Sequence, residues 1–167
     1  MPAPSRLFLL RHTKSSWDDP GLADHDRPLA PRGRRAAKRM GRYLHDEGIA
    51  PELVLCSSAR RARETLELVC PPGRIQLEPE LYGASADELV GRLRLVPDDV
   101  RSVMLIGHNP AMQDLALLLA GGGAELARVE RKFATGAVAT LTLDGGWHAL
   151  RPGCAELTGF VRPKDLG

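Results

Sequence analysis

Apolar and polar residues are grouped along this chain in blocks that read alternately as strands and helices. The run Leu7-Phe8-Leu9-Leu10 makes Arg6 to Leu10 a buried strand. A stretch from Thr13 to Arg32, punctuated by Asp18-Asp19-Pro20-Gly21 and Asp26-Arg27-Pro28, reads as a long loop. From Gly33, residues Ala36, Ala37, Met40, Tyr43 and Leu44 recur at helical spacing, and Gly48 ends that helix. Glu52 to Cys56 is a second strand, and Ala59 to Val69 a second helix stopped by Pro71-Pro72-Gly73. A short strand is expected at Ile75 to Leu77.

Ser85-Ala86-Asp87-Glu88 is a capping box that opens a third helix reaching about Leu95. Ser102 to Ile106 is a strongly apolar strand. Asn109 then serves as N-cap and Pro110 as the first residue of a helix ending at Gly121. Asp144-Gly145-Gly146 is a hairpin signal, with its strands expected at Ala137 to Leu143 and Trp147 to Arg151. The alternation predicts an α/β fold: three layers, α/β/α, with a mostly parallel central sheet and antiparallel strands added at the C-terminal end. A chain of 167 residues is expected to form one domain spanning 1–167, with no repeat or linker.

Composition narrows the function classes. A net charge of +2 is too small to argue for a nucleic-acid partner, and 4% aromatic residues supply few stacking platforms. The basic run Arg32, Arg34, Arg35, Lys38, Arg39 and Arg42 reads as the solvated face of the first helix. No apolar run approaches the roughly 20 residues of a membrane helix. Met1 to Arg6 lacks the apolar core of a secretory signal, so no membrane partner and a cytoplasmic location are expected. Cys56, Cys70 and Cys154 are odd in number and show no metal-ligand spacing; they are expected to be reduced thiols, with Cys56 in the core.

The chemistry lies at the strand ends, where open α/β sheets bind ligands. The first strand runs into Arg11-His12-Thr13, the second into Ser57-Ser58-Ala59-Arg60-Arg61, and the fourth into Gly107-His108-Asn109-Pro110. Arg61 opens a helix, where a cation opposes the macrodipole, and a bound anion removes that conflict. Neutral imidazole is a competent nucleophile near pH 7. Arginine forks suit the equatorial oxygens of a phosphoryl group in transfer. These residues point to a histidine nucleophile, His12, in a cationic pocket. With no Walker-type loop and no acidic metal cluster, neither a metal nor another cofactor is expected. His25, His45 and His148 carry no such company and read as structural or surface residues.

The same residues resemble the histidine phosphatase superfamily, over most of the chain. Its Arg-His signature is Arg11-His12, with Thr13 where glycine is common. Its Ser-x-x-x-Arg-Ala-x-x-Thr pattern is Ser57 to Thr65, a register that selects Arg61 rather than Arg60. Gly107-His108-Asn109 matches the second histidine motif. Asp26-Arg27-Pro28-Leu29-Ala30-Pro31-Arg32-Gly33 is similar to its R-P-L-T-x-x-G loop, with Ala30 in place of threonine. The resemblance implies a phosphoglycerate mutase-like fold and a phosphohistidine intermediate on His12. Arg11, Arg61 and His108 would hold the phosphoryl group, with Asn109 and Ser15 as further substrate contacts.

Within the superfamily, the short chain and the run Arg11 to Trp17 are most similar to the small bacterial SixA-type phosphohistidine phosphatases. The expected activity is metal-independent hydrolysis of phosphohistidine on a signalling protein. The alternatives are a small-molecule phosphomonoesterase and, in another class, a non-catalytic phospho-ligand module. The expected partner is thus a phosphorylated protein or small phosphorylated substrate, and the chain is expected to be a monomer or weak oligomer. Imidazole leaves far more readily than an alkoxide, so the phosphohistidine reaction needs little or no general acid. Glu80, in Glu80-Leu81-Tyr82-Gly83, is either that acid or a loop carboxylate. Glu88 reads as a cap, and Asp18, Asp19 and Asp24 as solvated loop residues. Ser15 and Trp17 are placed at the pocket rim, with Trp17 read either as a substrate contact or as a packing residue.

Overall fold

The computed structural model describes residues 4–167. Seven strands form one sheet: β1 Ser5–Arg11, β2 Leu53–Ser57, β3 Arg74–Glu78, β4 Ser102–Gly107, β5 Ala120–Gly122, β6 Val138–Leu143 and β7 Ala155–Val161. Their spatial order is β3-β2-β4-β1-β6-β7-β5. Parallel pairing joins β3, β2, β4 and β1 in succession. Beyond β1 the sheet turns antiparallel through β6 and β7, and β5 closes that edge parallel to β7.

Five helices flank the sheet: α1 Pro31–Asp46, α2 Arg60–Val69, α3 Ala86–Leu93, α4 Ala111–Leu119 and α5 Leu126–Arg131. Alternation along the strands divides the apolar residues between two cores. Phe8, Leu10, Val54, Cys56, Met104 and Ile106 pack with Met40 and Leu44 of α1 and with Ala62, Leu66 and Val69 of α2. Leu7, Leu9, Leu53, Leu55, Val103 and Leu105 pack on the other face with Leu89 and Leu93 of α3 and Met112 and Leu115 of α4. The central strands are apolar on both faces because both are covered. Each fully buried leucine or phenylalanine contributes about 1.5–3 kcal/mol relative to exposure.

Most predicted elements are present. The capping box of α3 forms, with Glu88 N–H donating to Ser85 Oγ at 3.2 Å and Ser85 N–H donating to Glu88 Oε1 at 3.1 Å. Arg32, Arg34, Arg35, Lys38 and Arg42 of α1 are exposed, as a solvated face requires.

Several elements differ from the expectation. Helix α1 starts at Pro31 rather than Gly33, because proline's fixed φ suits the first helical turn. Helix α4 begins at Ala111, not Pro110, and stops at Leu119 rather than Gly121. The chain passes directly into β5, where a Cβ on Gly121 would lie 2.6 Å from the Gly153 carbonyl oxygen. Residues this small carry no strand signal, so β5 was not legible. The expected strand at Trp147 to Arg151 is a 3-10 turn over Trp147–Ala149, and the hairpin partner of β6 is β7. Packing explains the correction. Trp147 and Leu150 both enter the core, a spacing of three that a strand places on opposite faces. The Trp147 Nε1–H also donates to the Val100 carbonyl at 2.7 Å.

Candidate active site

Sheet register creates the site. In parallel neighbours β1 and β4, Arg11 is paired with Gly107, so His12 and His108 leave the sheet side by side. The His12 N–H donates to the Gly107 carbonyl at 3.0 Å, and the two imidazole centroids are 5.2 Å apart. β2, on the far side of β4, delivers Ser57, whose Oγ lies 2.8 Å from His108 Nε2. The next turn carries Arg61 on the first turn of α2, so three strand ends meet as the sequence pattern required.

The tautomer of His12 is fixed by its neighbour. Nδ1 is 2.7 Å from the Thr13 carbonyl oxygen, which can only accept, so Nδ1 carries the proton and Nε2 the lone pair. Thr13 is itself fully buried, and its N–H donates to Thr65 Oγ1 at 3.1 Å. Thr65 in turn donates to the Arg61 carbonyl at 2.7 Å. The last threonine of the Ser-x-x-x-Arg-Ala-x-x-Thr pattern therefore supports the backbone that orients the histidine. On the other side, α1 presses on this segment: a Cβ on Gly33 would lie 2.0 Å from the Lys14 carbonyl oxygen, so the approach needs glycine.

Both imidazoles are held neutral. Burial pushes His12 down to about 3, against the Thr13 hydrogen bond, and the charges of His108, Arg61 and Arg11 act in the same direction as burial. His108 is lowered to about 4, chiefly by burial and next by Arg61, with Asp24 opposing. Arg11 donates to the Phe133 carbonyl at 2.9 Å. Its Nε, like His108 Nδ1, is buried with no hydrogen-bond partner among the described residues. Such unpartnered polar atoms are costly in a protein interior, and a tetrahedral oxyanion is one group that supplies oxygens to a guanidinium.

Asp24, Tyr82 and His25 also meet these side chains, although none was singled out as functional in the sequence. Asp24, in a 3-10 turn over Asp24–Asp26, accepts from Arg61 twice: its carbonyl from Nη1 at 2.7 Å and Oδ2 from Nη2 at 3.0 Å. Its Oδ1 accepts from Arg27 at 3.0 Å. The Tyr82 hydroxyl donates to Oδ2 at 2.5 Å, the largest influence holding Asp24 well below the usual carboxylate range, with Arg61 and Arg27 assisting. Asp24 reciprocally raises the Tyr82 phenol. Tyr82 stands edge-on to His108, with centroids 5.6 Å apart, and to His25, at 4.8 Å. His25, read as a bystander, thus stands at this mouth, with Nε2 2.8 Å from Ser58 Oγ. One available signal was the length of the 13–32 loop, since loops of that length in compact domains are usually functional or disordered.

The remaining candidates are placed further out. Ser15 is buried and accepts from Arg27 Nη2. The Asn109 amide donates to the Phe133 carbonyl at 3.2 Å, and its oxygen accepts from the Gln113 N–H at 3.3 Å, so both ends of the side chain bond protein. Glu80 is exposed on the 3-10 turn Pro79–Leu81, where its charge acts on Arg92; among the described residues no hydrogen bond or ion pair joins it to the histidines. A cavity of about 280 Å³ opens beside His108, walled by Leu81, Leu89, Leu105, Pro110 and Met112. Among the described residues, no group of three or more His, Cys, Asp or Glu side chains is arranged to hold a metal ion. No helix of the described residues is long and apolar enough to cross a membrane.

Comparison with known proteins bears on this geometry. The profile of the histidine phosphatase superfamily (branch 1) matches residues 7–94. An uncharacterized protein of Mycobacterium tuberculosis strain H37Rv is 41% identical over 159 residues, covering 93% of this chain and 100% of that protein. The phosphohistidine phosphatase SixA of Escherichia coli K12 is 30% identical over 145 residues, covering 83% of this chain and 86% of SixA. Among solved structures, a putative phosphohistidine phosphatase SixA from Nakamurella multipartitia superposes with a TM-score of 0.85 at 32% identity, over 97% of this chain and 98% of that one.

Proposed function

Since the chain belongs to the histidine phosphatase superfamily, we propose that it hydrolyses phosphohistidine through a covalent intermediate on His12. The observation that carries this reading is the His12–Thr13 hydrogen bond. It commits Nδ1 as a donor and leaves Nε2 a neutral nucleophile beside His108. The likeness to SixA proteins over most of the chain supports the choice of substrate class.

In the first step His12 Nε2 attacks phosphorus in line, and the P–N bond to the substrate imidazole breaks. That imidazole departs neutral when its distal ring nitrogen carries a proton, so an enzyme-borne acid is dispensable. Charge spreading over the equatorial oxygens is met by Arg61, by the buried Nε of Arg11 and by His108. In the second step water attacks the phosphorylated His12, the new P–N bond breaks, and phosphate leaves with the imidazole restored. Neutral His12 suits both steps, being nucleophile first and leaving group second.

The test is a rapid-quench experiment with a 32P-phosphohistidine protein. The expected result is transient label on this chain that is acid-labile, base-stable and absent in His12→Asn. Turnover of phosphohistidine that persists in His12→Ala would overturn the covalent route. A wild-type protein that hydrolyses phosphomonoesters but not phosphohistidine would overturn the substrate assignment.

A further inference from the structure

Trp17 is 71% exposed, yet its ring is not loose. The Arg27 guanidinium carbon lies 3.3 Å from its centroid, covering one face of the indole. Arg27 is buried and fixed by bonds to three groups: the Ser16 carbonyl at 3.0 Å, Asp24 Oδ1 at 3.0 Å and Ser15 Oγ. The loop beneath is pinned by a bridge between Ser15 and Leu29 and by the Ser16 N–H bond to the Pro28 carbonyl at 2.8 Å. The contacts run in sequence from Trp17 to Arg27, from Arg27 to Asp24 and from Asp24 to Arg61. A preorganised and largely exposed aromatic is thus linked to Arg61 through two side chains, Arg27 and Asp24.

Resting on the phosphohistidine reading, we infer that Trp17 is the anchor on which a phosphohistidine-bearing protein docks. An apolar side chain from the segment that carries the phosphohistidine packs on the free face of the indole. The chemistry of the occupant follows from the ring. A cation under one face draws π density toward itself, so the outer face disfavours a second cation and takes an apolar group. Asp18 and Asp19, both exposed, follow the indole in the chain, so basic residues flanking that apolar group complement the rim. A ring already held in place loses little conformational freedom on binding, which is why fixed aromatics serve as interface anchors. Arg27 and Asp24 stand between Arg61 and Trp17, so a free phosphohistidine gripped by its phosphoryl group at Arg61 is expected to leave the indole untouched. The residue therefore sets affinity for protein substrates and is indifferent to small ones.

The experiment compares wild type, Trp17→Ala and Trp17→Phe on two probes: a histidine-phosphotransfer domain phosphorylated with phosphoramidate, and free phosphohistidine. Trp17→Ala is expected to raise KM for the protein about tenfold, with kcat within about twofold, as loss of an anchoring aromatic does. Trp17→Phe should recover most of that loss, and all three proteins should treat free phosphohistidine alike. An equal loss on both probes would make Trp17 a mere support for Arg27, and an unchanged KM for the protein would remove the anchor; either overturns the inference. A wild-type protein inactive on both probes overturns the phosphohistidine reading beneath it.

Discussion

Asp24 grips Arg61 end-on: its carbonyl oxygen takes one terminal guanidinium nitrogen and its carboxylate the other, at 2.7 and 3.0 Å. A guanidinium has five N–H groups, so Asp24 leaves the Nε–H and one N–H on each terminal nitrogen uncommitted, the groups that the proposed phosphoryl contact would use. The carboxylate aims the arginine rather than occupying its whole binding edge.

Asp24 is therefore expected to act as a positioning residue. Asp24→Ala should lower kcat about 10- to 100-fold with little change in KM, the usual range for a residue that orients a site group. Asp24→Asn, which keeps an oxygen acceptor, should fall in between. Tungstate affinity should weaken in Asp24→Ala. Tighter tungstate binding would instead make Asp24 an internal anion that competes with substrate.

Thr65 links two residues of the site, accepting from the Thr13 N–H and donating to the Arg61 carbonyl. Thr65→Val preserves shape but leaves the buried Thr13 N–H without its acceptor. The expected loss is about 1–3 kcal/mol of stability by chemical denaturation. Because the Thr13 carbonyl sets the His12 tautomer, kcat should fall more than KM rises. A stability loss with kcat intact would confine Thr65 to a structural role.

The parts of this fold that lay open in the sequence are those held by short-range pattern. The runs Leu7 to Leu10 and Ser102 to Ile106 announce strands buried on both faces, and parallel pairing then forces Arg11-His12 and His108 together. Asp24 and Tyr82 were hidden because their roles come from pairings across the chain: Asp24 meets Arg61, 37 residues away, and Tyr82, 58 residues away. No periodicity encodes such contacts. Trp147 misled for a related reason, since its turn is set by a bond to Val100 and by core packing rather than by local preference.

Glu80 was the sequence's candidate acid, and its surroundings favour the plainer alternative of a loop carboxylate. It is exposed and acts on Arg92, whose own bonds are to Glu78 and Gln76. Glu80→Gln should leave phosphohistidine and p-nitrophenyl phosphate hydrolysis each within about twofold of wild type, as surface changes away from a site usually do. A selective loss on the phosphomonoester would restore Glu80 as a general acid.

Acid should weaken this protein through two histidines that burial keeps neutral, His12 and His108. In the unfolded chain both titrate near the ordinary value of 6.5, whereas the fold lowers His12 to about 3 and His108 to about 4. Between pH 6.5 and 4 the unfolded state thus binds more protons than the folded one, and stability falls as pH falls. Above pH 7 neither state is protonated and the effect vanishes. From pH 7 to pH 5 the loss is about 2 kcal/mol per histidine, at about 1.4 kcal/mol per pH unit once below the unfolded value. Urea denaturation across that range should show the decline in wild type and a shallower one in a His12→Asn/His108→Asn double variant. Asp24 and other paired carboxylates contribute to both proteins alike, so the difference between the two curves isolates the imidazoles. The same lowered values predict that kcat/KM keeps its neutral nucleophile to pH 5 wherever the fold survives. An acid limb centred near 6.5 would mean that His12 is neither as buried nor as cation-flanked as its geometry requires.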